Sequence, residues 1–316
     1  VKEFLTSFFL LSIVQGEILY DTDFDNFTAG PNNWAGNDGW LSNDFTSGSQ
    51  AIEDNVLPAL LNVATLGFER PNADLTFVAL ILEYDHVETG EPIVEIDTLL
   101  GIEDSTNNRR DDFYFSIYNS AGERLASIRF DNQDPDFPES EFGIWREDGK
   151  DQFDTEFDFI PGELFNLVAT INLENNTWSA DIDAIPIFEN ARFSNTGEPV
   201  NFGLLAFEWD LTATTTFGYG DNFLLVADVI VQTVVETPEL QVTHQFSPSA
   251  EITLTWETAA GWTDQVQYSE DLVTWFNNLP DSTFNSNNSP GTATFTRERN
   301  PAESLRFYRV RRTQSL

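Results

Sequence analysis

The chain has 316 residues, no Cys and no Met, and a formal net charge of -38 from 53 acidic and 15 basic side chains. Without Cys it cannot use a thiol nucleophile, a Cys-ligated zinc or an iron–sulfur cluster. With only His86 and His244 it holds no histidine-rich metal motif. So acidic a chain repels nucleic acid and anionic lipid and attracts cations.

The length suits two domains, and each is large enough to bury a core without disulfides. A hydrophobic fraction of 41% and 28 Phe fit a globular chain rich in sheet. At the N-terminus Lys2 precedes an apolar run over residues 4–14, and Val14 and Gly16 place small side chains before a cut after residue 16. That is the form of a secretory signal peptide. The alternative for the same run is a first strand that stays in the mature protein. The run is too short to span a bilayer, and no later stretch is long and apolar enough.

Turns follow at Gly30-Pro31-Asn32-Asn33 and Asn37-Asp38-Gly39. Residues 75–84 and 92–100 read as strands, the second with Pro92 favouring an edge or a strand start. Residues 56–66 are the one stretch with helical spacing, and Pro58 interrupts it. From Phe113 to Tyr118 the period is two. Phe113, Phe115 and Ile117 take one face; Tyr114, Ser116 and Tyr118 take the other. The turn at residues 119–122 returns the chain as residues 125–130, a hairpin. Residues 165–173 and 178–184 form a second hairpin about Asn175-Asn176, and residues 201–209 and 223–232 supply further strands. Many short strands without crossover helices predict an all-β fold of antiparallel sheets packed face to face.

The Pro-containing link at residues 234–239 marks a boundary. Residues 17–238 hold 43 acids and 8 bases, whereas residues 239–316 hold 9 acids and 6 Arg. The expected organisation is a signal peptide over 1–16, a large acidic β-domain over 17–235 and a small β-sandwich over 236–316. The small domain takes its strands from residues 252–256, 265–269, 272–275, 293–296 and 306–310, with Trp256 as its core. Arg306, Arg309, Arg311 and Arg312 suit an edge strand and tail.

Several of these stretches resemble a known family. They are residues 20–27 with Gly39-Trp40, residues 110–122 (RDDFYFSIYNSAG), residues 175–180 (NNTWSA) and Gly220-Asp221-Asn222-Phe223. Together they resemble the concanavalin A-like, laminin-G-like jelly rolls of exported proteins from marine, planctomycete- and verrucomicrobium-type bacteria. The second domain resembles the fibronectin type III-like modules that follow them, on Thr255-Trp256, Val266-Gln267-Tyr268-Ser269, residues 271–275 and residues 306–310. The resemblance implies an exported protein whose first and last jelly-roll strands pair. It does not choose between lectin and enzyme.

Retaining glycosidases need two carboxylates about 5 Å apart. Glu95-Ile96-Asp97-Thr98-Leu99-Leu100 begins like a glucanase strand, Glu-x-Asp-x-x-Glu, but Leu100 stands where the second Glu belongs, so no catalytic residue is assigned. Asp21, Asp23 and Asp25 share a strand face, and the implied pairing brings Asp221, Asn222 and Asp228 near them. That face suits either a structural Ca²⁺ or a solvated acidic surface. For a sugar, which stacks its apolar face on an aromatic ring, Trp34, Trp40, Trp145 and Trp209 are the candidates, with Glu95 and Asp97 for the hydroxyls. The leading expectation is a secreted or cell-surface protein that binds a polysaccharide or cell-surface glycan. The alternative is self-assembly in an envelope or matrix, and a glycoside hydrolase or polysaccharide lyase comes third.

Overall fold

The structure is a computed structural model that describes residues 14–54, 56, 60–67, 71–73, 75–103, 111–132, 142–210, 223–235, 242–246, 251–258, 262–269, 276, 279, 282–286, 291–298 and 307–314. Two compact units divide the chain, one over Gln15–Val235 and one built on Glu236–Leu316.

The larger unit is an antiparallel sandwich of the jelly-roll kind. One sheet is ordered β14 (Ile185–Arg192), β13 (Thr177–Ile182), β12 (Leu164–Asn172), β7 (Ile93–Ile102), β16 (Leu224–Val235), β5 (Asn62–Leu66), β4 (Gln50–Asp54) and β2 (Gly30–Pro31). Strand β1 (Val14–Thr22) also pairs with β16, so the first and last strands meet as the resemblance implies. The second sheet is ordered β11 (Gln152–Asp158), β10 (Gly143–Glu147), β9 (Arg124–Asp131), β8 (Asp112–Tyr118), β15 (Phe202–Asp210), β6 (Leu75–Tyr84) and β3 (Trp40–Ser42).

Alternation puts one face of each sheet into a shared core. In β12, Phe165, Leu167, Ala169 and Ile171 are buried and their neighbours are half-buried. In β8, Phe113, Phe115 and Ile117 pack inward, as their period of two predicts. Strand β7 lies between β12 and β16, in the middle of its sheet and not at an edge. Pro92 stands just before it, where a missing N–H removes no ladder bond. The helical spacing of residues 56–66 is overridden: this segment supplies β5, whose Val63, Ala64 and Leu66 are buried. His86 opens a single helical turn, α1 (His86–Thr89), capped by the Asp85 carboxylate, which accepts from Val87 N at 2.9 Å.

The smaller unit has two three-stranded sheets. One joins β17 (Val242–Phe246), β18 (Glu251–Thr258) and β21 (Gly291–Glu298); the other joins β20 (Thr283–Ser286), β19 (Trp262–Ser269) and β22 (Phe307–Gln314). Leu254, Trp256 and Phe295 from the first share a core with Val266 and Val310 from the second. Trp256 is buried there, and its indole donates to Asp264 Oδ2 at 2.9 Å. Arg309, Arg311 and Arg312 lie on the edge strand β22, while the expected strand at 272–275 falls outside the described residues.

Candidate functional site

The four tryptophans considered for sugar stacking divide sharply. Trp34, Trp40 and Trp209 are core residues, each at most 1% exposed. Positive φ at Gly36, Asp38 and Gly39 curls the loop between the first two, and Trp40 N bonds Asn37 O while Gly36 N bonds Trp40 O. This tight reversal turns both indoles inward, where they lie against each other (5.2 Å between ring centroids) and against Phe207. Gln50 Oε1 holds the Trp34 end by accepting from Trp34 N and Ala35 N. Trp40 Nε1 donates to Tyr20 OH, and Trp209 Nε1 to Asp111 Oδ2. None of the three presents a ring to solvent, which corrects the expectation drawn from their loop-like surroundings.

Trp145 is different. Its strand places it opposite Arg129, on the outer face of the seven-stranded sheet. Register builds that face into rows running across the strands. One row is Trp145, Arg129, Tyr114, Glu208 and Phe77; the next is Glu147, Ser127, Ser116, Ala206 and Ala79; the third is Arg124, Tyr118, Leu204 and Ile81. The middle row is small across four strands, β9, β8, β15 and β6, and bulky rows flank it. The small stretch is covered: Ser127, Ser116, Ala206 and Ala79 are all buried, and Tyr118 and Arg124 reach across it from the third row to Glu208 in the first.

A β-bulge sets its charged end. Pairing shifts between Ile117 and Tyr118, so that Ile117 faces Ala126 while Tyr118 faces Arg124. Leu125 and Ala126 both enter the core, and Arg124 is re-aimed outward. Its guanidinium then bridges two acids: Nη2 lies 3.1 Å from Glu147 Oε2 and Nη1 lies 3.4 Å from Glu208 Oε2. Tyr118 OH donates to Glu208 Oε1 at 2.7 Å, Ser127 Oγ donates to Glu147 Oε2 at 2.9 Å, and Gln152 Nε2 donates to Glu147 Oε1 at 2.7 Å. Ser116 Oγ lies beside Glu208 without a well-formed bond. Arg129, in the first row, repeats the pattern, with Asp112 at 2.7 Å and Asp131 at 3.4 Å.

These carboxylates sit low and the guanidiniums sit above them. The Glu208 side chain is fully buried and that of Arg124 is 35% exposed. Burial pushes the Glu208 carboxyl up, against the pull of Arg124 and Tyr118. Burial likewise raises Asp112 to about 6, although Arg129 opposes it. The Tyr118 phenol is pushed up by burial and by the neighbouring Glu208 charge. The upper layer of this face is therefore Arg124, Tyr118, Arg129 and Trp145: two rings and two donors over buried carboxylates. Of this face, sequence reasoning had singled out only Trp145. The alternation of residues 113–118 did expose Tyr114, Ser116 and Tyr118 as an outer set, but the partners on β10 and β15 had no local trace.

Glu95 and Asp97 lie on the opposite sheet. They point outward from β7, with Gln232 Nε2 donating to Glu95 Oε1 at 2.7 Å. They therefore cannot share a ligand face with Trp145. Leu100 points the other way and is fully buried in the core, so the interrupted glucanase pattern is completed by nothing at that position.

Asp228 shares the outer face of Glu95 and Asp97, and its Oδ1 accepts from Leu99 N at 2.7 Å. Its carboxyl is pushed up by partial burial and by the charges of Asp97, Asp21 and Asp23. Asp25 is directed elsewhere, its carboxylate 3.4 Å from Asn62 N. Asp221 and Asn222 lie outside the described residues. Among the described residues no group of three or more Asp, Glu or His has the geometry to hold a metal ion, and no helix is long and apolar enough to cross a membrane.

No protein-family model and no curated protein sequence matches the chain. Solved structures similar to it include a sialidase (9% identity, TM-score 0.39, 62% of this chain), and a botulinum neurotoxin type C structure whose cell entry depends on two ganglioside molecules (11%, 0.40, 71%). A third is the CBM2 module of the evolved Dit of Lactobacillus casei BL23 phage J-1 (13%, 0.44, 71%). This chain covers 18% of the sialidase, 47% of the neurotoxin chain and 98% of the phage module, so it spans less than half the length of the first two. At these identities and TM-scores none of the three assigns a ligand or a reaction to this chain.

Proposed function

We propose that the larger unit is a carbohydrate-binding module whose ligand face is the outer surface of the seven-stranded sheet. The observation that carries this reading is the grouping of Trp145, Tyr118, Arg124 and Arg129 over one row of small residues. Aromatic rings stack on the apolar faces of sugars, and guanidinium N–H groups and phenols bond their hydroxyls. The reading is non-catalytic. The best-placed acid, Glu208, is sealed beneath Arg124 and cannot reach a glycosidic oxygen, and general acid catalysis needs hydrogen-bond reach. Secretion, inferred from the apolar run after Lys2, belongs to the same proposal, because the polysaccharides such a face would meet lie outside the cell.

The test is binding of the full chain to a panel of soluble polysaccharides by affinity electrophoresis. Trp145→Ala is expected to abolish retardation while leaving the unfolding midpoint unchanged. A Glu95→Gln/Asp97→Asn double variant, altered on the other sheet, is expected to bind like the parent. Loss of binding in the double variant with retention in Trp145→Ala would move the site to the nine-stranded sheet.

A further inference from the structure

We infer that this outer face takes uncharged sugar units and excludes those bearing a uronate or sulfate group; this deepens the carbohydrate reading above and rests on it. The first ground is the state of the two guanidiniums. Arg124 already contacts Glu147 and Glu208, and Arg129 already contacts Asp112 and Asp131. Four carboxylates thus surround two cations, so the charged half of this face carries surplus negative charge. An incoming carboxylate or sulfate would add a further negative charge beside these four acids, and that like-charge approach is unfavourable.

The second ground is the other half. Across β15 and β6 the outer face carries Leu204, Ile81 and Phe77 around the buried Ala206 and Ala79. Leu41 continues the middle row onto β3, and Leu41 and Ile81 are both exposed. This end offers apolar contact for the C–H faces of a sugar and no cation for an anionic substituent. The third ground is long-range: the 43 acids against 8 bases of residues 17–238 repel a polyanion before contact.

What the arginines can still offer is neutral. Each guanidinium has five N–H donors. Among the described residues the hydrogen bonds and ion pairs occupy Nη1 and Nη2 of Arg124, and Nε and Nη2 of Arg129. Arg124 Nε and Arg129 Nη1 remain for hydroxyl oxygens, which need a donor but no net charge.

The experiment measures binding of the full chain, by calorimetry, to two sets of soluble polysaccharides. One is neutral (a β-glucan, a mannan, a xylan); the other is anionic (alginate, pectate, a carrageenan). Each is run at about 0.01 M and about 0.5 M salt, which changes the screening length several-fold. The expected result is binding within the neutral set, little altered by salt, with the anionic set about tenfold or more weaker at low salt. Glu147→Gln removes one surplus charge with little change of shape, and it should narrow that gap. Anionic chains binding as tightly as neutral ones at low salt would overturn the charge inference and leave the carbohydrate reading standing. No binding to either set would remove both.

Discussion

The two outer faces of the larger sandwich both carry carboxylates and treat them oppositely. On the seven-stranded sheet the acids are drawn down against the strands and crossed by arginines, so that Glu147, Glu208 and Asp112 are nearly or fully buried. On the nine-stranded sheet Glu95, Asp97 and Asp228 stand half-exposed, and among the described residues no ion pair holds them. Asp228 instead feels the like charges of Asp97, Asp21 and Asp23. The same residue type therefore does two kinds of work. Buried and paired, it fixes the position of a guanidinium and of a phenol; exposed and unpaired, it supplies solubility and local repulsion.

The contrast is sharpest when a cation is removed. Arg124→Ala leaves Glu147 and Glu208 buried with no counter-charge and should destabilise the larger unit by about 3 kcal/mol, the range seen when one partner of a buried ion pair is deleted. Urea unfolding measures this. Glu95→Ala on the other face should stay within about 0.5 kcal/mol of the parent. Equal effects from the two substitutions would erase the distinction between the faces.

Asp112 tests the paired face by pH. Its folded value of about 6 lies above the ordinary 3.8 because burial outweighs Arg129. A raised acid contributes stability that is fully present below its unfolded value and lost as pH rises through its folded one. Between about pH 4 and pH 7 the parent should therefore lose on the order of 2 kcal/mol through this group. Asp112→Asn should flatten that part of the stability profile. A profile that keeps its full slope in the variant would mean that Arg129 outweighs burial.

The smallest effect belongs to the unpaired face. Asp228→Asn removes a charge from beside Asp97, Asp21 and Asp23, and its amide oxygen can still accept from Leu99 N. It should stabilise by about 0.5 kcal/mol at low salt, the scale of a like-charge pair across strands. The gain should fade in about 1 M salt, where screening acts over about 3 Å. A loss of stability at low salt would show that Asp228 serves its Leu99 contact more than it suffers from its neighbours.

Much of the secondary structure was legible because alternation is local. The inward set Phe113, Phe115 and Ile117 and its outward partners were readable from the six residues 113–118, and the two hairpins from their turns. The tryptophans were misread for an equally local reason. Asn- and Gly-rich loops are usually exposed, but the positive-φ turn at residues 36–39 folds Trp34 and Trp40 back onto Phe207, a residue some 170 positions away. Pro92 was compatible with an edge or a strand start, and only the neighbours of β7 chose between them.

The site was less legible than the fold. Tyr118 and Glu208 are 90 residues apart, and Arg124 meets Glu147 only because a bulge shifts the register by one. The sequence by itself determined that this is an acidic all-β protein, which side chains share a strand face, and that Leu100 breaks the glucanase pattern. Those properties follow from composition and from the two-residue repeat of an extended backbone, which any strand obeys wherever it is placed. The tertiary structure alone decided strand order, and with it that Trp145 shares a face with Glu208 while Glu95 and Asp97 lie on the far side of the core. Pairing between distant strands is set by how both inward faces fill one common interior, and no short stretch of the chain contains that information.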